Sequence, residues 1–182
     1  EQTKQLLNST TPSLDVDCLL CEVLKKNRSW ILAHQDEMLD EQSLQKLNSF
    51  IQQRKTGLPV AYIIEKKEFF GLEFFVNKNV LIPKPDTELL VEKAIQDIER
   101  NSENKILKIA DVCCGSGCIA IALKKAFPDA NIYAYDISEE ALKKSKENAA
   151  TLGKTRQDKL NKLFSDNPWF EMFYAPHTFE VD

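Results

Sequence analysis

Asp111-Val112-Cys113-Cys114-Gly115-Ser116-Gly117 lies between an apolar run, Ile106 to Val112, and a helical pattern from about Ser116 to Phe127. A second apolar run, Ile132 to Tyr135, ends on Asp136. Strand, glycine turn, helix and strand make a βαβ unit. Its polar signals fall at the carboxyl ends of both strands, where open α/β sheets bind ligands. Glycine lets backbone N–H groups approach a ligand closely. An acid about 20 residues beyond such a turn can accept both hydroxyls of a ribose. The stretch therefore predicts a nucleoside cofactor.

The turn narrows which nucleoside. A dinucleotide fold wants G-x-G-x-x-G, with pyrophosphate on the helix N-terminus. Ala120 stands three after Gly117, an allowed substitute, but Cys113 stands two before Gly115. The pattern sits closer to the methyltransferase turn D-x-G-x-G-x-G.

Working outward, Val16, Leu20, Val23 and Leu24 recur at helical spacing after the start signal Thr11-Pro12. Trp30, Ile31 and Leu32 open a short second element. Asp40 caps a helix with Leu44, Leu47, Phe50 and Ile51 on one face, ended by Gly57. Residues 1–58 thus read as a helical domain and 59–84 as a β-hairpin linker. In the linker Phe69, Phe70, Phe74, Phe75, Val76, Val80 and Ile82 flank Gly71 and the Asn77-Lys78-Asn79 turn. From 85 to 182 an incomplete methyltransferase domain is expected. It opens with a helix over 86–100 that buries Leu89, Leu90, Ala94, Ile95 and Ile98. Ser138 caps the helix after Asp136, and Lys143, Lys144 and Lys146 form a solvated face.

The wider sequence resembles the release factor glutamine methyltransferases (the HemK/PrmC family) from about residue 13 to 166. The resemblance runs through Gly57-Leu58-Pro59-Val60-Ala61-Tyr62-Ile63, Glu68-Phe69-Phe70-Gly71 and Phe74-Phe75-Val76. It continues through Leu81-Ile82-Pro83-Lys84-Pro85-Asp86-Thr87-Glu88, Gly115 to Ala122, Asp136-Ile137-Ser138-Glu139-Glu140-Ala141-Leu142 and Asn148-Ala149. It implies a Rossmann-like class I fold and S-adenosylmethionine as cofactor. It further implies methyl transfer to the glutamine of a Gly-Gly-Gln motif in peptide chain release factors, with the helical domain of residues 1–58 helping to hold that protein substrate. Cofactor contacts are expected from Asp111, Cys113, Cys114, Gly115, Ser116, Gly117 and Asp136. Asp166 would meet the adenine amino group and Trp169 would cover its ring. For Asp111 two roles stay open, a ligand to the methionine ammonium or a cap within the turn. Pro83 to Glu88 reads either as a cover over the cofactor or as a rigid turn with a helix cap.

Two positions depart from the family pattern, which has Gly where Cys113 stands and Gly near Ile64–Glu65. A third departure concerns catalysis. The family's Asn-Pro-Pro-Tyr is absent; Asn167-Pro168-Trp169-Phe170 fits an earlier Ser-Asp-Trp-Phe segment better, and Phe179 to Asp182 resembles the strand leading into the missing motif. On this reading the chain stops just before its catalytic loop, and with Glu1 rather than Met as first residue it is expected to be a fragment at its start too. No catalytic residue is assigned to it.

The 182 residues are 43% apolar and 29% charged with a net charge of −4, as for a soluble globular protein. The negative balance disfavours a broad grip on nucleic acid. An adenine N6-methyltransferase, which shares the active-site signature, is therefore the weaker enzymatic alternative. A non-catalytic module that binds cofactor or release factor is the other. No apolar run approaches a membrane span. Cysteines 18, 21, 113, 114 and 118 read as free thiols of a reduced cytoplasm, and a monomer is expected.

Overall fold

The computed structural model describes residues 9–101 and 107–154. They divide into two compact units between Glu65 and Lys66. The first unit is helical. Its elements are α1 (Pro12–Leu24), α2 (Arg28–Ala33), α3 (Glu41–Lys55) and the single turn α4 (Val60–Ile63). Pro12 stands at the start of α1, where its missing N–H costs nothing. Asp40 caps α3 by accepting the Ser43 N–H at 2.9 Å, as its position before the apolar stripe predicts. Val16, Leu19, Leu47, Ile51 and Ile63 form the core, with Leu19 fully buried. Two acids of α1 are buried as well. Asp15 accepts from Arg54 Nε at 2.8 Å and Asp17 from Arg28 Nε at 3.0 Å, so neither charge is left unpaired.

The second unit begins with an antiparallel hairpin, β1 (Lys66–Phe69) and β2 (Leu72–Phe75). Phe70 and Gly71 connect the strands at φ 53° and 70°, the positive pair that a two-residue hairpin turn requires. Phe69 and Phe74 are buried and meet edge to face. Helix α5 (Pro85–Asn101) follows, then β3 (Lys108–Val112), α6 (Cys118–Ala126), β4 (Asn131–Tyr135) and α7 (Glu139–Lys154). Strands β3 and β4 pair in parallel, Lys108 opposite Asn131 through Val112 opposite Tyr135. The βαβ unit and its boundaries thus agree with the sequence to within a few residues. Ile106, expected to begin β3, lies outside the described residues. Helix α6 starts later than expected because Gly117, at φ 77°, cannot be helical.

The buried face of α5 needs correcting. Leu89 and Leu90 are 56% and 57% exposed, while Val91 is fully buried. The inward stripe runs from Val91 through Ala94 and Ile95, which pack with the core of α6. Leu89 and Leu90 fall on the flanks of that stripe. Among the described residues no helix is long and apolar enough to cross a membrane.

Candidate functional site

The glycine turn, the end of β4 and the start of α7 form one hydrogen-bonded assembly. Cys114 N–H donates to Tyr135 O at 2.9 Å, carrying the parallel ladder one step past β3. Asp136 then holds both sides of the gap. Its Oδ2 accepts the Gly115 N–H at 2.8 Å and its Oδ1 accepts the Ser138 N–H at 3.0 Å. Each oxygen retains a lone pair, and the carboxylate, half-buried, is fixed in orientation.

Asp111 lies on the neighbouring strand and is buried, 8% exposed. Its Oδ2 accepts the Ala120 N–H at 3.1 Å, capping the first turn of α6, where a negative charge is favoured. Burial nevertheless pushes its pKa up, the Ala120 bond opposes the shift, and the charge of Asp136 adds to it. The cap reading of Asp111 is thus realised in the structure, and one carboxylate oxygen remains over. Two like charges at neighbouring strand ends make a place where a cationic ligand group relieves repulsion.

The two glycines do different work. Among the described residues, no atom other than those of its chain neighbours stands within 4 Å of where a Cβ on Gly115 would lie, so that side of the turn is open there. On Gly117 a Cβ would lie 2.3 Å from Ser145 Oγ and 3.1 Å from Ser145 Cβ. Gly117 therefore lets α7 pack against the turn, and of the two glycines Gly115 is the one with open space beside it among the described residues. Cys113 is exposed and adopts φ 64°, the left-handed conformation that glycine adopts without steric penalty. Glu65, the other position where the family pattern has glycine nearby, adopts φ 56°. Both bends are thus kept with a side chain present, at about 1–2 kcal/mol each. The Cβ of Cys113 strains the backbone at an exposed edge of the turn.

Cys114 and Cys118 are buried thiols. Burial raises the Cys114 pKa to about 12, with the Ser145 hydroxyl opposing and the charges of Asp111 and Asp136 adding to it. Burial also raises that of Cys118. Neither is a nucleophile at neutral pH. Ser116 is buried with its carbonyl turned toward α7. Cys18 and Cys21 are half-buried free thiols whose pKa values burial raises. Asp166 and Trp169 lie outside the described residues, so five further positions of the expected set, Asp111, Cys114, Gly115, Ser116 and Gly117, gather with Cys113 at the turn, facing Asp136.

In the Pro83 to Glu88 run, the contacts observed are those of a turn and helix start. Pro85 starts α5, and Glu88 Oε1 accepts the Phe70 N–H at 2.9 Å, tying down the strained turn residue. Sequence reading assigned no role to two residues of α7. Ser145 and Asn148 are both fully buried. Polar side chains three apart among Ala141, Leu142 and Ala149 are the signal for this, since a polar residue in an apolar stripe is buried with a purpose.

The two units match separate family descriptions, the PrmC N-terminal domain over residues 1–64 and the methyltransferase small domain over residues 85–167. Among curated relatives, the release factor glutamine methyltransferase of Clostridium acetobutylicum is 42% identical over 134 residues, covering 74% of this chain and 46% of that protein. The Clostridium botulinum protein of the same name is 39% identical, covering 84% and 52%. That of Aliivibrio fischeri is 32% identical, covering 99% and 60%. The chain spans about half the length of the curated relatives it matches. From its helical unit through its glycine turn, the chain belongs to the release factor glutamine methyltransferase family, with an α/β Rossmann-like methyltransferase domain following the helical unit in sequence.

Proposed function

We propose that this chain is the cofactor-binding part of a methyltransferase that uses S-adenosylmethionine to methylate the Gly-Gly-Gln glutamine of peptide chain release factors. One observation carries the cofactor half. A turn with open space at Gly115 faces an oriented carboxylate, Asp136, at the ends of two parallel strands. The free lone pairs of Asp136 suit two ribose hydroxyls. Asp111, whose buried charge is poorly compensated, suits the methionine ammonium. Ser116 and the open side of Gly115 border the same space, with Cys113 at its edge; Asp166 and Trp169 are proposed for the adenine. The bound cofactor supplies a sulfonium-activated methyl group. The protein's part is to align an acceptor with it and exclude water.

A glutamine amide nitrogen is a poor nucleophile, since its lone pair is delocalised into the carbonyl. It needs acceptors for its two hydrogens. No Asn-Pro-Pro-Tyr occurs in this sequence, so the reaction requires residues that this chain does not hold. The acceptor half rests on the names of the relatives, and the helical unit, which matches the PrmC N-terminal domain, is proposed to help hold the protein substrate. The test is binding rather than turnover. A purified release factor is titrated with the chain in the presence of the cofactor product, alongside a release factor whose glutamine in that motif is replaced by alanine. Saturable binding to the first factor supports the acceptor assignment. Absence of binding to either, with a folded chain, removes it.

A further inference from the structure

The carboxamide of Asn148 is bonded on every side. Its Oδ1 accepts the Phe75 N–H at 2.7 Å. One Nδ2 hydrogen goes back to Phe75 O at 2.9 Å and the other to Ser116 O at 3.0 Å. Toward Phe75 the side chain imitates a neighbouring strand, donating and accepting at one residue. Toward Ser116 it grips the glycine turn from behind. Asn148 is fully buried, where leaving any of these groups unpaired costs about 1–3 kcal/mol. The same helix presents Ser145 to Gly117, so α7 backs the turn at two successive points.

We propose that Asn148 is a positioning residue that couples the end of strand β2 to the glycine turn. This rests on the cofactor site assigned above only where cofactor affinity is read. Without Asn148, the carbonyl of Ser116 and both backbone groups of Phe75 lose their partner together. The turn then loses the orientation that aims the Gly115 side at a ligand. Asn is specific here: Asp keeps the acceptor for Phe75 N–H but sets a carboxylate oxygen against two carbonyls.

The test is site-resolved hydrogen exchange on the whole chain, with and without S-adenosylmethionine, for the wild type, Asn148→Asp, and Val91→Ala as a destabilised control. In Asn148→Asp the amides of Phe75 and Gly117 should both exchange at least tenfold faster than expected from the loss of global stability, while β4 amides follow that loss alone. Val91→Ala should speed all of them in proportion. The coupling is overturned if Gly117 in Asn148→Asp keeps pace with β4. Should Asn148→Asp not fold, the wild type decides. Phe75 and Gly117 should open with the same free energy and the same denaturant slope, and different slopes overturn the coupling. Cofactor affinity should fall about tenfold or more in Asn148→Asp and less than twofold in Val91→Ala, both measured while folded. A wild type that binds no cofactor removes the site assignment and leaves the exchange result standing by itself.

Discussion

At the scale of the residue, Asp111 shows stability and binding pulling apart. Its raised pKa means that the folded chain keeps a proton that the unfolded chain has already released, over the window above the ordinary value of 3.8. Rising pH through that window therefore costs folded-state stability. Asp111→Asn keeps an oxygen for the Ala120 N–H and removes the buried charge. Urea titrations from pH 4 to 7 should show the variant as stable as the wild type or more so, without that share of the downward slope. Cofactor affinity should meanwhile fall about 10- to 100-fold, the loss of one charge-assisted contact. Cys113 makes the opposite case. Cys113→Gly removes left-handed strain at an exposed position, and calorimetry should find it about 0.5–1 kcal/mol more stable, with cofactor affinity equal or higher. Neither property could be read from residue types. The sequence places a cysteine where the family pattern has glycine; only the backbone angle shows that the glycine conformation is kept.

At the scale of the element, the βαβ unit was legible because three signals agree: two apolar runs, a glycine turn and an acid at the second strand's end. The hairpin was legible from its aromatic alternation around Gly71. Helix faces were less so. Which side of α5 is buried depends on what packs against it, and Val91 wins over Leu89 and Leu90 through contact with α6. In α7 the letters Ser145 and Asn148 look like part of a solvated helix between lysines until its packing on the turn is known. That packing makes a direct prediction. Gly117→Ala should cost more than about 2 kcal/mol, because its Cβ would overlap Ser145 Oγ and its φ is strained. Ser145→Ala in the same chain should return part of this. A double-mutant cycle by denaturant unfolding should find coupling of about 1 kcal/mol, and strict additivity would count against the packing described.

At the scale of the whole molecule, each unit has a core of its own, around Leu19, Leu47 and Ile51 in the helices and around Phe74, Val91 and Ala120 beyond Glu65. The cofactor signals all lie in the second. Leu19→Ala should therefore cost the helical unit about 2–5 kcal/mol. Cofactor affinity, measured where the second unit stays folded, should change less than twofold. The same division explains what the sequence could not supply. The chain spans about half the length of the curated relatives it matches, and the Asn-Pro-Pro-Tyr motif that the family resemblance leads one to expect for the acceptor does not occur in this sequence.

The turn at Gly115 and the carboxylate of Asp136 are proposed to form a cofactor site. Isothermal titration of S-adenosylmethionine into the folded chain tests it most directly, with Asp136→Asn beside it. One saturable site is expected in the wild type, with an affinity at least tenfold weaker in a variant still folded by circular dichroism. A folded wild type that takes up no cofactor, or a variant that binds as tightly as the wild type, would contradict it.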